Sequence, residues 1–143
     1  MTFADIIYLA QGNYLDGRAI VVFDTSSEFR IENSECKEFI SYISGVILKA
    51  ILISKERSHN DEFCVIVHLD NLKKCKIGFK IPICIARTLK RMFPDKLYKC
   101  YLKNPPMMFR AIYTAVTPLI DKVTRKKISM IKNGKEIEYD NYS

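Results

Sequence analysis

Residues 93–131 read FPDKLYKCYLKNPPMMFRAIYTAVTPLIDKVTRKKISMI, and the succession of elements inside them decides the fold class. Tyr98 to Leu102 reads as a short strand. Pro105-Pro106 breaks it, because proline supplies no amide proton. Met107 to Ile120 follows as a helix of 14 residues, about 21 Å long. Its only polar members, Arg110, Thr114 and Thr117, recur at spacings of four and three and share one narrow strip. The rest of the circumference is apolar, so the helix is buried on most sides or faces something oily, yet is too short to cross a bilayer. Lys127 to Ile131 is the next strand. Strand, helix and strand in succession are the unit of a parallel sheet.

The same alternation extends toward the N-terminus. Tyr14-Leu15-Asp16-Gly17-Arg18 is a turn that delivers the chain into a buried strand, Ala19 to Phe23. Residues 24–33 form a loop, and Ser34 is placed to cap a helix with Glu35 and Glu38 in its first turn. Cys36, Phe39, Ile40, Ile43, Val46, Ile47, Ala50 and Ile51 then make one apolar helical face. Lys55 to Glu62 reads as a loop, Phe63 to Leu69 as a central strand, and Asp70 to Lys76 as a basic connection. From Ile77 to Phe93 the positions Ile81, Ile85, Leu89 and Met92 recur at helical spacing, with Arg87, Lys90 and Arg91 directed elsewhere. Pro82 suits the first turn and Pro94 ends the helix. Asn133-Gly134 before Ile137 and Tyr139 has the spacing of a closing hairpin. The expected fold is α/β, a mainly parallel sheet flanked by helices, in a single domain over residues 1–143 without repeat or linker.

Composition bounds the function. A chain of 143 residues with 48% apolar and 27% charged side chains can bury one core and is not of the disordered class. No apolar run approaches the roughly 20 residues of a membrane span, and the N-terminus has no basic region followed by an apolar one, so a cytoplasmic protein is expected. The five cysteines, Cys36, Cys64, Cys75, Cys84 and Cys100, are never spaced Cys-x-x-Cys and have only His59 and His68 beside them; reduced core thiols are expected rather than a metal site. No Gly-x-Ser-x-Gly, phosphate-cradling glycine loop or paired carboxylates appear, so no catalytic residue is assigned and an enzyme is not expected. The net charge of +7 is uneven: residues 1–67 carry −4, residues 68–135 carry +14 and the last eight −3. Such asymmetry points to an anionic partner, lipid or nucleic acid.

Several of these residues together carry a resemblance. Phe93-Pro94-Asp95-Lys96-Leu97, Asn104-Pro105-Pro106, Phe109, Pro118-Leu119-Ile120-Asp121-Lys122-Val123-Thr124 and Lys127-Ile128 resemble, in order and spacing, the second half of the CRAL-TRIO lipid-binding domains. Asp16-Gly17-Arg18-Ala19-Ile20 looks like the entry strand of that family, and Val65 to Leu69 stands where its central strand lies. The likeness covers about residues 5–131 and is that of a minimal member, lacking the helical N-terminal extension and the C-terminal segment with paired glycines.

The resemblance implies a sheet floor beneath a lipid pocket, with Met107 to Ile120 as a gate helix whose Met108, Phe109, Ile112, Tyr113, Val116, Leu119 and Ile120 face the acyl chains. In phosphatidylinositol-transfer members the headgroup is held from positions that here are Asp95, Thr124 and Lys127. Lysine supplies a cation for phosphate, threonine a hydroxyl donor and aspartate an acceptor for inositol hydroxyls. Arg125 and Lys126, with Lys122, form a basic cluster suited to docking on an anionic membrane. The implied activity is non-enzymatic binding or transfer of a phospholipid, phosphatidylinositol or a phosphoinositide, by a cytoplasmic protein that associates peripherally with membranes, with the lipid as ligand and no cofactor. Two readings compete with it. One is a protein-interaction scaffold like the related BCH domains, which commonly have His-Pro where this chain has Asn104-Pro105-Pro106. The other is nucleic-acid binding, disfavoured because the basic residues are spread over several elements and match no recognised motif.

Overall fold

The computed structural model describes residues 2–132 and 135–140. Its main sheet has five strands in the order β1 (Ile7–Leu15), β2 (Arg18–Asp24), β4 (Phe63–His68), β6 (Leu97–Lys103) and β7 (Ile128–Ile131). All neighbours are parallel except β1 and β2, which pair antiparallel. A second, two-stranded parallel sheet joins β3 (Arg30–Ile31) to β5 (Lys76–Ile77). The described residues also form four α-helices: α1 (Cys36–Ser58), α2 (Lys80–Met92), α3 (Phe109–Val116) and α4 (Lys122–Lys126). The expected α/β class with a mainly parallel, helix-flanked sheet is the one found.

The strand β1 is an addition to the sequence reading, which carried the N-terminal residues only as far as a turn. Asp16 and Gly17 sit at φ 49° and 80°, between the paired Leu15 and Arg18. Two successive positive φ values make a type I′ turn, the connection whose twist suits a two-residue hairpin. A side chain at position 17 is also barred sterically, since a Cβ there would lie 2.6 Å from Ser58 Cβ. Arg18 fixes the turn to the sheet: its guanidinium pairs with Glu62 at 2.7 Å and lies 3.8 Å over the Tyr98 ring.

Element boundaries move as well, and α2 begins at Lys80 rather than at Ile77, which lies in β5. Helix α1 runs through Lys55–Ser58, read as loop, and stops where His59 takes φ 60°. The charged residues there occupy its exposed last turns, where Lys55 and Arg57 suit the negative helix end. Ser34 does not cap the helix; it lies inside a 3₁₀ turn, Asn33–Glu35, whose entry is closed by Glu32 N–H donating to Glu35 Oε1 at 3.0 Å. The proposed closing hairpin falls partly on Asn133 and Gly134, outside the described residues, and residues 135–140 form no strand. They return instead to the hairpin: Asp140 accepts the N–H groups of Asp16 and Gly17, both at 2.7 Å, and its own N–H donates to Tyr14 O at 2.8 Å.

The two faces of the sheet bury different cores. On one, Val21, Phe63 and Ile7 pack with Phe39, Ile43 and Ile47 of α1 and Ile81 of α2. On the other, Ile20, Val22, Cys64, Ile66 and Ile131 pack with Ile137. Cys64, Cys75 and Cys100 are buried free thiols, as expected of core cysteines. Cys36 and Cys84 depart from the expectation, since they meet sulfur to sulfur as a disulfide between α1 and α2. Their sequence separation of 48 hid this, because only helix packing brings them together.

Candidate functional site

The helices leave a gap above the sheet. A cavity of about 490 Å³ lies over β2, β4 and β6, floored by Val21, Phe23, Val65, Val67, Cys100 and Leu102. These are alternate residues of parallel-paired strands, so strand periodicity alone puts an apolar row on one face. Ile43 and Ile47 of α1 close the back, and Ile81, Ile85 and Leu89 of α2 form a side wall. The roof is α3 with the 3₁₀ turn that follows it, Thr117–Leu119.

That roof is the helix whose circumference is nearly all apolar. It is continuous only as far as Val116, and the 3₁₀ turn carries Pro118. None of its residues is fully buried: Phe109, Ile112, Tyr113 and Val116 are half-buried over the cavity, and Ala111, Thr114 and Ala115 are exposed. It therefore lies across the mouth of an oily space rather than inside a filled core. Phe109 and Tyr113 stack at 6.0 Å, and Thr117 Oγ1 donates to Tyr113 O at 2.5 Å.

Of the seven residues assigned to the gate, Phe109, Ile112, Tyr113, Val116, Leu119 and Ile120 line this cavity and Met108 does not. Met108 precedes the first turn of α3 and lines a neighbouring cleft of about 420 Å³ with Leu72, Ile77 and Ile112. One helical position separates it from Phe109, enough to turn it to the adjacent face.

One end of the cavity is polar, and Lys90, Asp95, Asp121 and Thr124 line it. Pro94 stops α2, and Asp95 follows at φ 58°, exposed, in a turn that returns the chain to β6. Beside it Lys96 pairs with Asp61. Asp121 is the N-cap of α4 and accepts the Thr124 N–H at 2.8 Å. That hydrogen bond, the Thr124 hydroxyl and the nearby Lys90 charge hold the Asp121 carboxyl below its ordinary pKa.

The three residues assigned to a headgroup are thus not placed alike. Asp95 and Thr124 line the polar end of the cavity, whereas half-buried Lys127 does not. Lys127 closes α4, where its N–H donates to Thr124 O at 3.0 Å and its carbonyl accepts from Cys100 N at 2.9 Å; Ile128, the next residue, is the one that lines the cavity. Lys122, Arg125 and Lys126 are exposed on α4 around Val123, which is 60% exposed. Lys90, read as directed away from the apolar face of α2, stands at the cavity mouth. Helical spacing shows that it leaves the Ile81–Ile85–Leu89 stripe but not what lies beside that stripe. Asp121 was visible only as part of a motif; its capping hydrogen bond needs the fold of α4. Among the described residues no group of His, Cys, Asp and Glu is arranged to hold a metal, and no helix is long and apolar enough to cross a membrane.

The CRAL/TRIO domain model matches residues 6–142. Phosphatidylinositol transfer protein SFH5 of Candida glabrata is 22% identical over 107 residues, 72% of this chain and 36% of that protein. Its namesake in Saccharomyces cerevisiae is 22% identical over 104 residues, 70% of this chain and 35% of that one. The chain therefore spans about a third of the length of the curated relatives it matches. The crystal structure of Sfh5 superposes with a TM-score of 0.64 at 15% identity, covering 90% of this chain and 49% of its own, which is a likeness of fold. With a family model matched along nearly its whole length and a fold superposing on that of Sfh5, the chain belongs to the CRAL/TRIO domain family.

Proposed function

We propose that the protein binds a phospholipid and exchanges it at a membrane without chemistry, with phosphatidylinositol or a phosphorylated form as cargo. The observation that carries this reading is the apolar 490 Å³ cavity roofed by α3 and polar at one end. At interior packing density a methylene occupies about 27 Å³, so the space holds roughly one chain of 18 carbons. A lipid with two chains needs the roof displaced. Helix α3 buries no residue completely, and lifting it breaks the packing of Phe109, Ile112 and Tyr113 against Leu69, Leu72, Cys100 and Leu102. Once lifted, its apolar face has a place against acyl chains, where water would penalise it.

Docking is assigned to α4, whose Lys122, Arg125 and Lys126 surround exposed Val123 at the cavity's polar end. Asp95, Thr124 and Lys127 are proposed to meet the headgroup, the first two from the cavity wall and Lys127 from behind α4. Membership of the family and the names of its transfer-protein relatives support the same reading. Transfer of fluorescent phosphatidylinositol between vesicles tests it, with mass spectrometry of any co-purifying lipid. Catalysed transfer with a bound phospholipid is the expected result; an empty protein that leaves the spontaneous rate unchanged overturns the proposal.

A further inference from the structure

The cavity wall itself suggests which cation meets the ligand. Among the described residues Lys90 is the one Lys or Arg that lines it, although residues 68–135 carry a surplus of +14. The side chain makes no ion pair with any described residue. Asp121, which lines the same cavity, accepts the Thr124 N–H at 2.8 Å and feels the Lys90 charge without forming an ion pair with it. Lys90 is exposed, and an anion drawn to its ammonium at this rim lies against the apolar wall, where less water screens the pair than on open surface.

We infer that Lys90 is the cation that fixes the ligand's negative group at the cavity mouth, and that this group is a phosphate or carboxylate joined to an acyl chain lying along the floor of β4 and β6. The inference rests on the lipid-binding reading and deepens it by adding a cation on the cavity wall to the proposed headgroup set. Thr124 and Asp95 then serve the remaining polar atoms: the hydroxyl of Thr124 rotates from Asp121 to donate to the anion, and exposed Asp95 accepts from head hydroxyls. The opposing explanation is that the Lys90 stem merely covers apolar wall while its ammonium stays in water. The two differ in one respect: a packing stem serves charged and neutral lipids alike.

The test compares the full chain with Lys90→Ala and Lys90→Arg. The probes are phosphatidylinositol, a diacylglycerol with the same chains, and the corresponding free fatty acid, each presented in neutral phosphatidylcholine vesicles. Lys90→Ala is expected to weaken uptake of an anionic probe by roughly 10- to 100-fold, the loss typical of a hydrogen bond to a charged group, with diacylglycerol unchanged. Lys90→Arg should stay within about 3-fold of the parent, since it keeps the charge and the donors. Whether dependence on Lys90 appears with phosphatidylinositol or with the fatty acid distinguishes phosphate from carboxylate. Equal losses for anionic and neutral probes, or none for either anion, overturn the inference while leaving lipid binding intact. A parent protein that takes up none of the probes overturns both.

Discussion

Replacing Val65 and Val67 by Phe should shorten the acyl chain that the protein accepts. Both lie on β4, two residues apart on the cavity face, at its floor. Each substitution adds about 50 Å³ of side chain, so together they remove roughly 100 of the 490 Å³, or about four methylenes. At about 0.8 kcal/mol per buried methylene, an 18-carbon chain loses about 3 kcal/mol relative to a 14-carbon one, a discrimination on the order of 200-fold. Mass spectrometry of the lipid retained from a mixture of chain lengths reads this directly. Thermal unfolding should change little, because the new rings fill empty space rather than displace packed atoms. Val67→Phe alone should give half the effect, about 1.6 kcal/mol or 15-fold. A folded double variant with the parent's chain-length distribution would refute the assignment of this cavity to acyl chains.

Three further outcomes follow from the same geometry. Ser54 is fully buried, accepting from Ala19 N and donating to Ala50 O, both at 2.9 Å, so Ser54→Ala strands the Ala19 amide and should cost about 1–3 kcal/mol in urea unfolding. Burial pushes the thiols of Cys64 and Cys100 up from 9.0 to about 12; their folded pKa lies above the unfolded one, so the stability they contribute is complete below pH 9 and lost as pH rises toward 12. Urea midpoints measured from pH 8 to 11 should fall accordingly, and both thiols should resist iodoacetamide at pH 8 until the chain unfolds. Replacing Lys122, Arg125 and Lys126 by Ala should weaken sedimentation with anionic vesicles by up to about 100-fold at low salt, at about 1 kcal/mol per charge, and leave binding to neutral vesicles unchanged.

Most of the element order was legible because its signals are local. Pro94 and Pro105-Pro106 punctuate the second half, and the apolar runs at Ala19 and Phe63 are too short and too β-branched for helices. What was missed or misread has particular causes. Asp16-Gly17 carries the turn chemistry of a hairpin, yet β1 is irregular, with a register shift between Leu9 and Tyr14 and Gly12 at φ 75°, so strict alternation does not reveal it. The charged end of α1 reads as loop because solvent-exposed turns carry no apolar stripe. Residues 135–140 have their role only through Asp140, which reaches a turn 123 to 124 positions earlier in the chain.

For the candidate site the division is sharper. Sequence by itself determined that an oily helix lies within residues 107–120 beside parallel strands, because periodicity and proline placement depend on neighbours a few positions away. It also brought Asp95 and Thr124 forward through a resemblance, and both line one mouth. Only the tertiary structure decided that a void remains beneath that helix, that Met108 leaves it for another cleft, and that Lys90 rather than Lys127 reaches its wall. Those are questions of how helices of given length pack on a twisted sheet. A side chain's sequence neighbours fix which way it leaves its own element, but the surface it meets there belongs to segments far along the chain.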